Sequence, residues 1–174
     1  GSCLPKEVRA VGHLAEEIGV DVPLIQSLMA SNDRHIEQAI RLLAPFRGKR
    51  IGFLGVTFKP GTDDIRESPV LDLMSMLVDE GEDVWCYDPN LRFGAHLKAQ
   101  VSYVKHTSPH LSQLLERIER ITVSSAEHLG KLCDVLVVSH ATDEFRGTIK
   151  SRPSQVSVID LCRLYKAPPQ DAGY

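Results

Sequence analysis

The chain has 174 residues, of which 43% are hydrophobic and 25% charged, enough apolar mass for one domain of ordinary size with a helical appendage. Its formal net charge is −3, with Lys and Arg scattered along the sequence, which argues against a nucleic-acid surface or an anionic membrane surface while leaving room for a local phosphate pocket. No apolar run approaches membrane-spanning length, no charged-then-apolar signal segment opens the chain, and no internal repeat is present.

From Pro5 to about Ile18 the pattern is helical, with Val8, Val11, Leu14, Ala15 and Ile18 at three- and four-residue steps. Pro5 suits the first turn and Gly19 the C-terminal stop. Asp21 is then placed to cap a longer helix over about Val22–Phe46, whose apolar residues Leu24, Ile25, Leu28, Met29, Ile36, Ala39, Ile40 and Leu43 nearly circle it. A helix of that kind, outside any βαβ unit, predicts a subunit or domain interface; an ordinary core helix is the alternative.

Gly48 marks a boundary between the helical segment, 1–47, and a second unit, 48–174. Beyond it, strand-like runs at Arg50–Val56, Asp83–Tyr87, Arg120–Val123, Asp134–Ser139 and Val156–Leu161 alternate with helical stretches. The helices are predicted at Pro69–Glu80 after Ser68, loosely around Leu91–Ala99, at Ser125–Leu132, and from near Thr142. Runs such as IGFLGV, VLVV and VSVI are short, continuous and apolar, as strands buried on both faces are. The order implies right-handed crossovers, hence an α/β fold: a Rossmann-like open, mainly parallel sheet with helices on both faces. Tyr103–Glu119, interrupted by Pro109, reads as an excursion with a short helix at His110–Leu115, and the tail KAPPQDAGY as a frayed end.

In such a sheet, ligands bind outside the carboxyl ends of the strands. The loop after the first strand, TFKPGTDDIRES over Thr57–Ser68, is long and polar, and carries Lys59 and Arg66 around Asp63 and Asp64. Two cations beside a helix N-terminus suit a diphosphate; a solvated loop whose charges pair with each other is the competing reading. Gly52 and Gly55 do not form GxGxxG, so a dinucleotide fingerprint is absent, and Asp88 at the end of the second strand then serves to turn the chain into Pro89.

Four cysteines, Cys3, Cys86, Cys133 and Cys162, lie far apart with no zinc or disulfide spacing and read as reduced thiols of a cytoplasmic protein. Three stand in apolar, strand-like surroundings. Cys3 instead precedes a helix predicted from Pro5, where free N–H groups and Lys6 one turn on favour a thiolate able to attack a carbonyl carbon. Glu7 is either a helix-capping acid or a proton carrier near that thiol. On its own the CLPK stretch reads instead as a terminal free cysteine of no consequence; zinc and catalytic-triad patterns are missing.

GSCLPKE, then a long helix, then GVTFKPGTDDIRESP closely resembles the nucleotide-sugar 6-dehydrogenases, the family of UDP-glucose and GDP-mannose dehydrogenases. The first motif resembles their catalytic-cysteine segment GGSCLPKD, the second their FKxGTDDxRES segment, and the resemblance runs over nearly the whole chain. CLPKEVRA, the YDPN turn and PHLSQLL resemble the GDP-mannose branch in particular. The resemblance implies a four-electron oxidation of the sugar C6 alcohol to a carboxylate with two NAD used in turn, through a thiohemiacetal and then a thioester on Cys3. By matching positions, Lys6 and Arg66 would contact NAD; Lys59, beside Phe58, would contact the nucleotide sugar, GDP-mannose or another. Glu7 stands where the family has Asp, and Arg163 stands near where UDP-glucose relatives carry a substrate arginine. The family's NAD-binding domain has no counterpart here, so the resemblance implies a C-terminal portion, inactive alone, dimeric through the helix at 22–46, with no nucleic-acid, membrane or metal partner.

Overall fold

The computed structural model describes residues 3–164; the tail KAPPQDAGY lies outside them. Two helices come first: α1, Cys3–Glu17, and α2, Pro23–Leu43, which runs into a 3-10 turn at Ala44–Phe46. Helix α1 begins two residues earlier than the periodicity indicates, so Cys3 lies within its first turn rather than ahead of it. Gly19 ends it as predicted, at φ +67°, with the Gly19 N–H bonded to Glu16 O (3.2 Å) and the Val20 N–H to Ala15 O (2.9 Å), the paired bonds of a Schellman stop. Asp21 does not cap α2. Val22, whose side chain has no acceptor, holds the N-cap position, and Pro23 takes the first helical position, where its missing N–H costs nothing.

The rest is a four-stranded, all-parallel sheet in the order β2-β1-β3-β4, formed by β1 (Arg50–Leu54), β2 (Asp83–Tyr87), β3 (Val135–Val138) and β4 (Ser157–Asp160). Strand residues alternate between two cores. Ile51, Phe53, Val135 and Val137 face one built with α3 (Pro69–Asp79), the C-terminal half of α2, α4 (Ala95–Thr107) and α5 (Ser112–Ile121). Leu54, Leu136 and Val138 face the other, built with α6 (Ala126–Leu132) and α7 (Asp143–Ser151). This is the open parallel sheet, covered on both faces, that the apolar runs predict. Gly52 is needed where α6 crosses: a Cβ there would meet Cys133 Sγ at 2.8 Å and Leu129 Cγ at 2.9 Å.

Three expectations fail between β2 and β3. Tyr103–Glu119 is no irregular excursion with a short helix at His110–Leu115, since α4 runs to Thr107 and α5 starts at Ser112 after a 3-10 turn at Pro109–Leu111. Arg120–Val123 is not a strand. Leu114, Leu115 and Ile118 are buried at helical spacing, α5 therefore runs on to Ile121, and one parallel bridge from Thr122 to Cys86 is all that remains of the strand. The helix placed loosely at Leu91–Ala99 lies later, because Leu97 and Val104 bury one face of α4 and Pro109 ends it.

Helix α2 is covered on one half. Ala39 and Leu43 are buried against the sheet unit, whereas Leu24 is 74% and Leu28 42% exposed. On α1, Leu4, Val11 and Leu14 are exposed as well, as is Ile18 just after it. The encircling apolar pattern of the sequence thus leaves an open surface on both helices.

Candidate functional site

The carboxyl ends of the strands form one edge of the sheet, and the loop from Thr57 to Ser68 is its largest feature. The loop is held from four sides. Ser68 Oγ donates to Val56 O (2.8 Å), the Phe58 N–H to Asp64 O (3.0 Å), and the Gln100 side chain from α4 accepts from the Ile65 N–H (3.0 Å) and donates to Asp63 O (3.2 Å). At its base, Asp88 accepts from the Val56 and Thr57 N–H groups at 2.9 and 3.0 Å. Asp88 does accept from the Asn90 N–H as a turn residue would (2.9 Å), but it is 3% exposed and anchors β1 as well, a role beyond turning the chain.

Both loop cations are exposed, and they are engaged differently. Arg66 forks onto Asp64, Nε to Oδ1 at 2.9 Å and Nη2 to Oδ2 at 2.8 Å. That guanidinium holds the Asp64 carboxyl below its usual range, and Asp64 in turn raises Arg66. Among the described residues Lys59 makes no such pair. Its Nζ stands 5.2 Å from the ring centre of the half-buried Phe58, a cation–π contact that leaves the ammonium facing water.

Helix α1 meets this loop. Arg9 Nη2 lies 2.5 Å from Glu67 Oε1, and Glu67 adopts a left-handed backbone, φ 53°, to follow Arg66 into α3. Cys3, Lys6 and Glu7 occupy the first turns of α1 and are exposed; the Lys6 Nζ and Glu7 Oε1 are 3.8 Å apart. The other three thiols are chemically quiet, since burial pushes Cys86, Cys133 and Cys162 up to about 12. The Arg9–Glu67 pair thus ties α1, which begins at Cys3, to the loop that carries Arg66.

Arg163 is elsewhere on the same edge. It follows β4, two strands from β1 and so roughly 10 Å away across the sheet. It sits at φ 55° in a turn that Asp160 Oδ1 organises by accepting from the Cys162 and Leu164 N–H groups (3.1 and 3.0 Å). Among the described residues no hydrogen bond or ion pair links it to the 57–68 loop.

His140 escaped the sequence reading. It is 5% exposed, and its Nε2 lies 2.8 Å from Thr57 O, which makes Nε2 the donor. No local pattern announces it, because its partner lies 83 residues away. Among the described residues no group of three or more His, Cys, Asp or Glu is placed to hold a metal ion.

A phosphate-bearing cofactor fits this surface only in part. Lys6, in the first turns of α1 with Cys3, and Arg66 on the loop supply cationic side chains, with Arg66 keeping Nη1 free of the Asp64 fork. The glycine fingerprint that cradles a dinucleotide is missing from the β1 loop, so the body of such a cofactor needs protein beyond these residues.

Residues 52–167 match the UDP-glucose/GDP-mannose dehydrogenase family, UDP binding domain. A GDP-mannose 6-dehydrogenase of Pseudomonas syringae pv. tomato is 35% identical over 161 residues, covering 92% of this chain and 35% of that protein. A UDP-glucose 6-dehydrogenase of Haloferax volcanii is 42% identical over 92 residues, covering 51% of this chain and 21% of that protein. Among solved structures, a ternary complex of GDP-mannose dehydrogenase from Pseudomonas aeruginosa superposes with a TM-score of 0.77 at 33% identity, over 92% of this chain and 35% of the other. The chain spans about a third of the length of the curated GDP-mannose relatives it matches, at 35% for the first of them.

Proposed function

The chain belongs to the UDP-glucose/GDP-mannose dehydrogenase family, and from that premise we propose that it is the C-terminal, nucleotide-sugar-binding part of an NAD-dependent GDP-mannose 6-dehydrogenase. The observation that carries the reading is the convergence of two distant motifs. The Arg9–Glu67 pair ties α1, which begins at Cys3, to the β1–α3 loop that carries Arg66.

In this reading residues 1–47 carry the nucleophile and a dimerising helix, and residues 48–174 hold the nucleotide sugar. NAD, which Lys6 and Arg66 would touch here and an N-terminal domain would hold in the main, would supply the hydride acceptor for both oxidations at the sugar C6. Cys3 acts between them. Its thiolate adds to the C6 aldehyde, the carbonyl oxygen takes up a proton, and the resulting thiohemiacetal keeps a reactive aldehyde from escaping. After the second oxidation the carbon is a thioester of Cys3. Water attacks it, the C–S bond breaks, and the thiolate returns as the uronate leaves. Glu7, one turn from Cys3 on the same helix, is within range to order that water or receive its proton, while Lys59 on its Phe58 shelf and Arg163 further along the edge meet the nucleotide's phosphates.

A UDP-sugar substrate is the second reading. It is favoured by the family description, which names a UDP binding domain, and by the Haloferax volcanii relative. A third reading, a non-catalytic nucleotide-binding or dimerisation module, draws on the exposed apolar residues Leu24 and Leu28 of α2, which also support a homodimer through the helix at 22–46. A cytoplasmic setting accords with nucleotide-sugar chemistry; among the described residues no helix is long and apolar enough to cross a membrane.

Thermal-shift titration of the chain with GDP-mannose, UDP-glucose and NAD separates these readings. Stabilisation by GDP-mannose above UDP-glucose supports the first, the reverse order the second. Joined to an NAD-binding half, the protein should form NADH from one nucleotide sugar, and failure with every nucleotide sugar would remove the dehydrogenase reading.

A further inference from the structure

In open parallel sheets a ligand's phosphate settles at the point where the strand order reverses, against backbone N–H groups just beyond a strand. Here that point lies between β1 and β3, and the chain's own side chains fill it. Asp88 Oδ2 accepts from the Val56 N–H (2.9 Å), the Thr57 N–H (3.0 Å) and Thr57 Oγ1 (2.8 Å). Asp88 Oδ1 accepts from the backbone and side-chain amides of Asn90 at 2.9 and 3.3 Å. His140 closes the other side, with Nδ1 at 3.7 Å from Asp88 Oδ2 and Nε2–H donating to Thr57 O at 2.8 Å. Its ring packs so tightly on Gly55, φ +94°, that a Cβ there would come within 2.5 Å of it. Ser139 Oγ completes the seal by donating to Gly55 O at 2.6 Å.

We propose that Asp88 is an internal anion, its carboxylate taking the place at the end of β1 that a ligand phosphate takes in other sheets of this topology, and that with His140 it fixes the direction in which loop 57–68 leaves the sheet. Three donors converge on one oxygen, as they would on a phosphate oxygen. The Val56 and Thr57 amides are consequently closed to any ligand. A nucleotide sugar's diphosphate is met instead by side chains further out on the same edge, Lys59 and Arg163; this last step rests on the nucleotide-sugar reading above, whereas the internal anion does not.

Asp88→Gly, which removes the side chain from a cavity formed by these donors, tests the idea with sodium formate as a free carboxylate. The expected result is a rise of roughly 2–4 °C in the variant's unfolding midpoint at about 100 mM formate over matched sodium chloride, with no such difference in the wild type. An equal response of the two proteins to formate would overturn the proposal. Should Asp88→Gly not fold, Asp88→Asn decides: the Val56 and Thr57 amides should exchange about tenfold faster while Leu136 in β3 keeps its protection, and unchanged exchange at Val56 and Thr57 overturns the proposal. Amide NMR titrations of the wild-type chain with uridine and guanosine diphosphate add a separate reading. Direct engagement of the Val56 and Thr57 N–H groups by either diphosphate contradicts the internal anion, and shifts confined to the region of Lys59 and Arg163 support it. Absence of any diphosphate binding counts against the nucleotide reading alone, and the formate comparison then stands by itself.

Discussion

Arg9 and Glu67 are 58 residues apart in sequence, and the guanidinium of one lies 2.5 Å from the carboxylate of the other. The pair joins the helix that carries Cys3 to the residue that follows Arg66. Its side chains are 50% and 35% exposed, so solvent screening keeps its energy small. A double-mutant cycle with Arg9→Ala and Glu67→Ala should give a coupling of about 0.2–1 kcal/mol. Amide exchange in the first turns of α1 should quicken in either variant. A coupling of zero together with unchanged exchange would show that the pair does not hold α1 to the loop.

Two carboxylates predict opposite responses to pH. Asp64 lies below its usual range because Arg66 hydrogen-bonds it. The stability it adds is present above its ordinary value near 3.8 and is lost as pH falls through the lower folded value. Asp72 is raised, first by burial, with the His110 Nε2 at 2.8 Å offsetting part of that. Its protonated form is the favoured one, and stability is lost as pH rises through the folded value. Urea midpoints measured from pH 3 to 7 should show Asp72→Asn gaining on the wild type as pH rises, and Asp64→Asn falling behind it. The reverse order would refute both assignments.

Glycine substitutions should separate packing from backbone strain. Gly52→Ala places a methyl against Cys133 and Leu129, an overpacking worth about 1–3 kcal/mol. Gly55→Ala meets His140 at 2.5 Å and must also hold φ +94°, so it should cost more and release the loop that His140 pins. Chemical denaturation ranks the two, and an equal or smaller loss at Gly55 would contradict the packing described here.

The loop cations should differ in what they tolerate. Lys59 makes a point-charge contact, so Lys59→Arg should bind nucleotide sugar within a fewfold of the wild type, while Lys59→Ala loses about tenfold. Arg66 forks onto Asp64 with two nitrogens, which lysine cannot do. Arg66→Lys should therefore behave nearly as Arg66→Ala in NAD-dependent turnover. Titration calorimetry and KM values measure these differences, and full retention of NAD response in Arg66→Ala would remove Arg66 from the cofactor contacts.

What could be read from the chain alone follows the range of the forces involved. Strands β1 and β3 were legible because IGFLGV and VLVV bury both faces, and α3 because Pro69 and the apolar run after it are local signals. Arg120–Val123 misled because four residues of strand-like composition carry less weight than Leu114, Leu115 and Ile118 docking on α3. Asp21 misled because Pro23 already supplies the helix start. The base of the site was beyond reach: Asp88 finds Thr57 across 31 residues and His140 finds it across 83. Those contacts exist only once three strands lie side by side.

The decisive measurement is uronate formation by the protein joined to its NAD-binding half, with Cys3 intact and with Cys3→Ala and Cys3→Ser. If the Cys3 sulfur carries the sugar between its two oxidations, both variants should lose at least about a thousandfold in the rate of acid production, and an acyl adduct should be found on the Cys3 peptide of the wild type alone. Acid made by Cys3→Ala at the wild-type rate, with no adduct on that peptide, would contradict it.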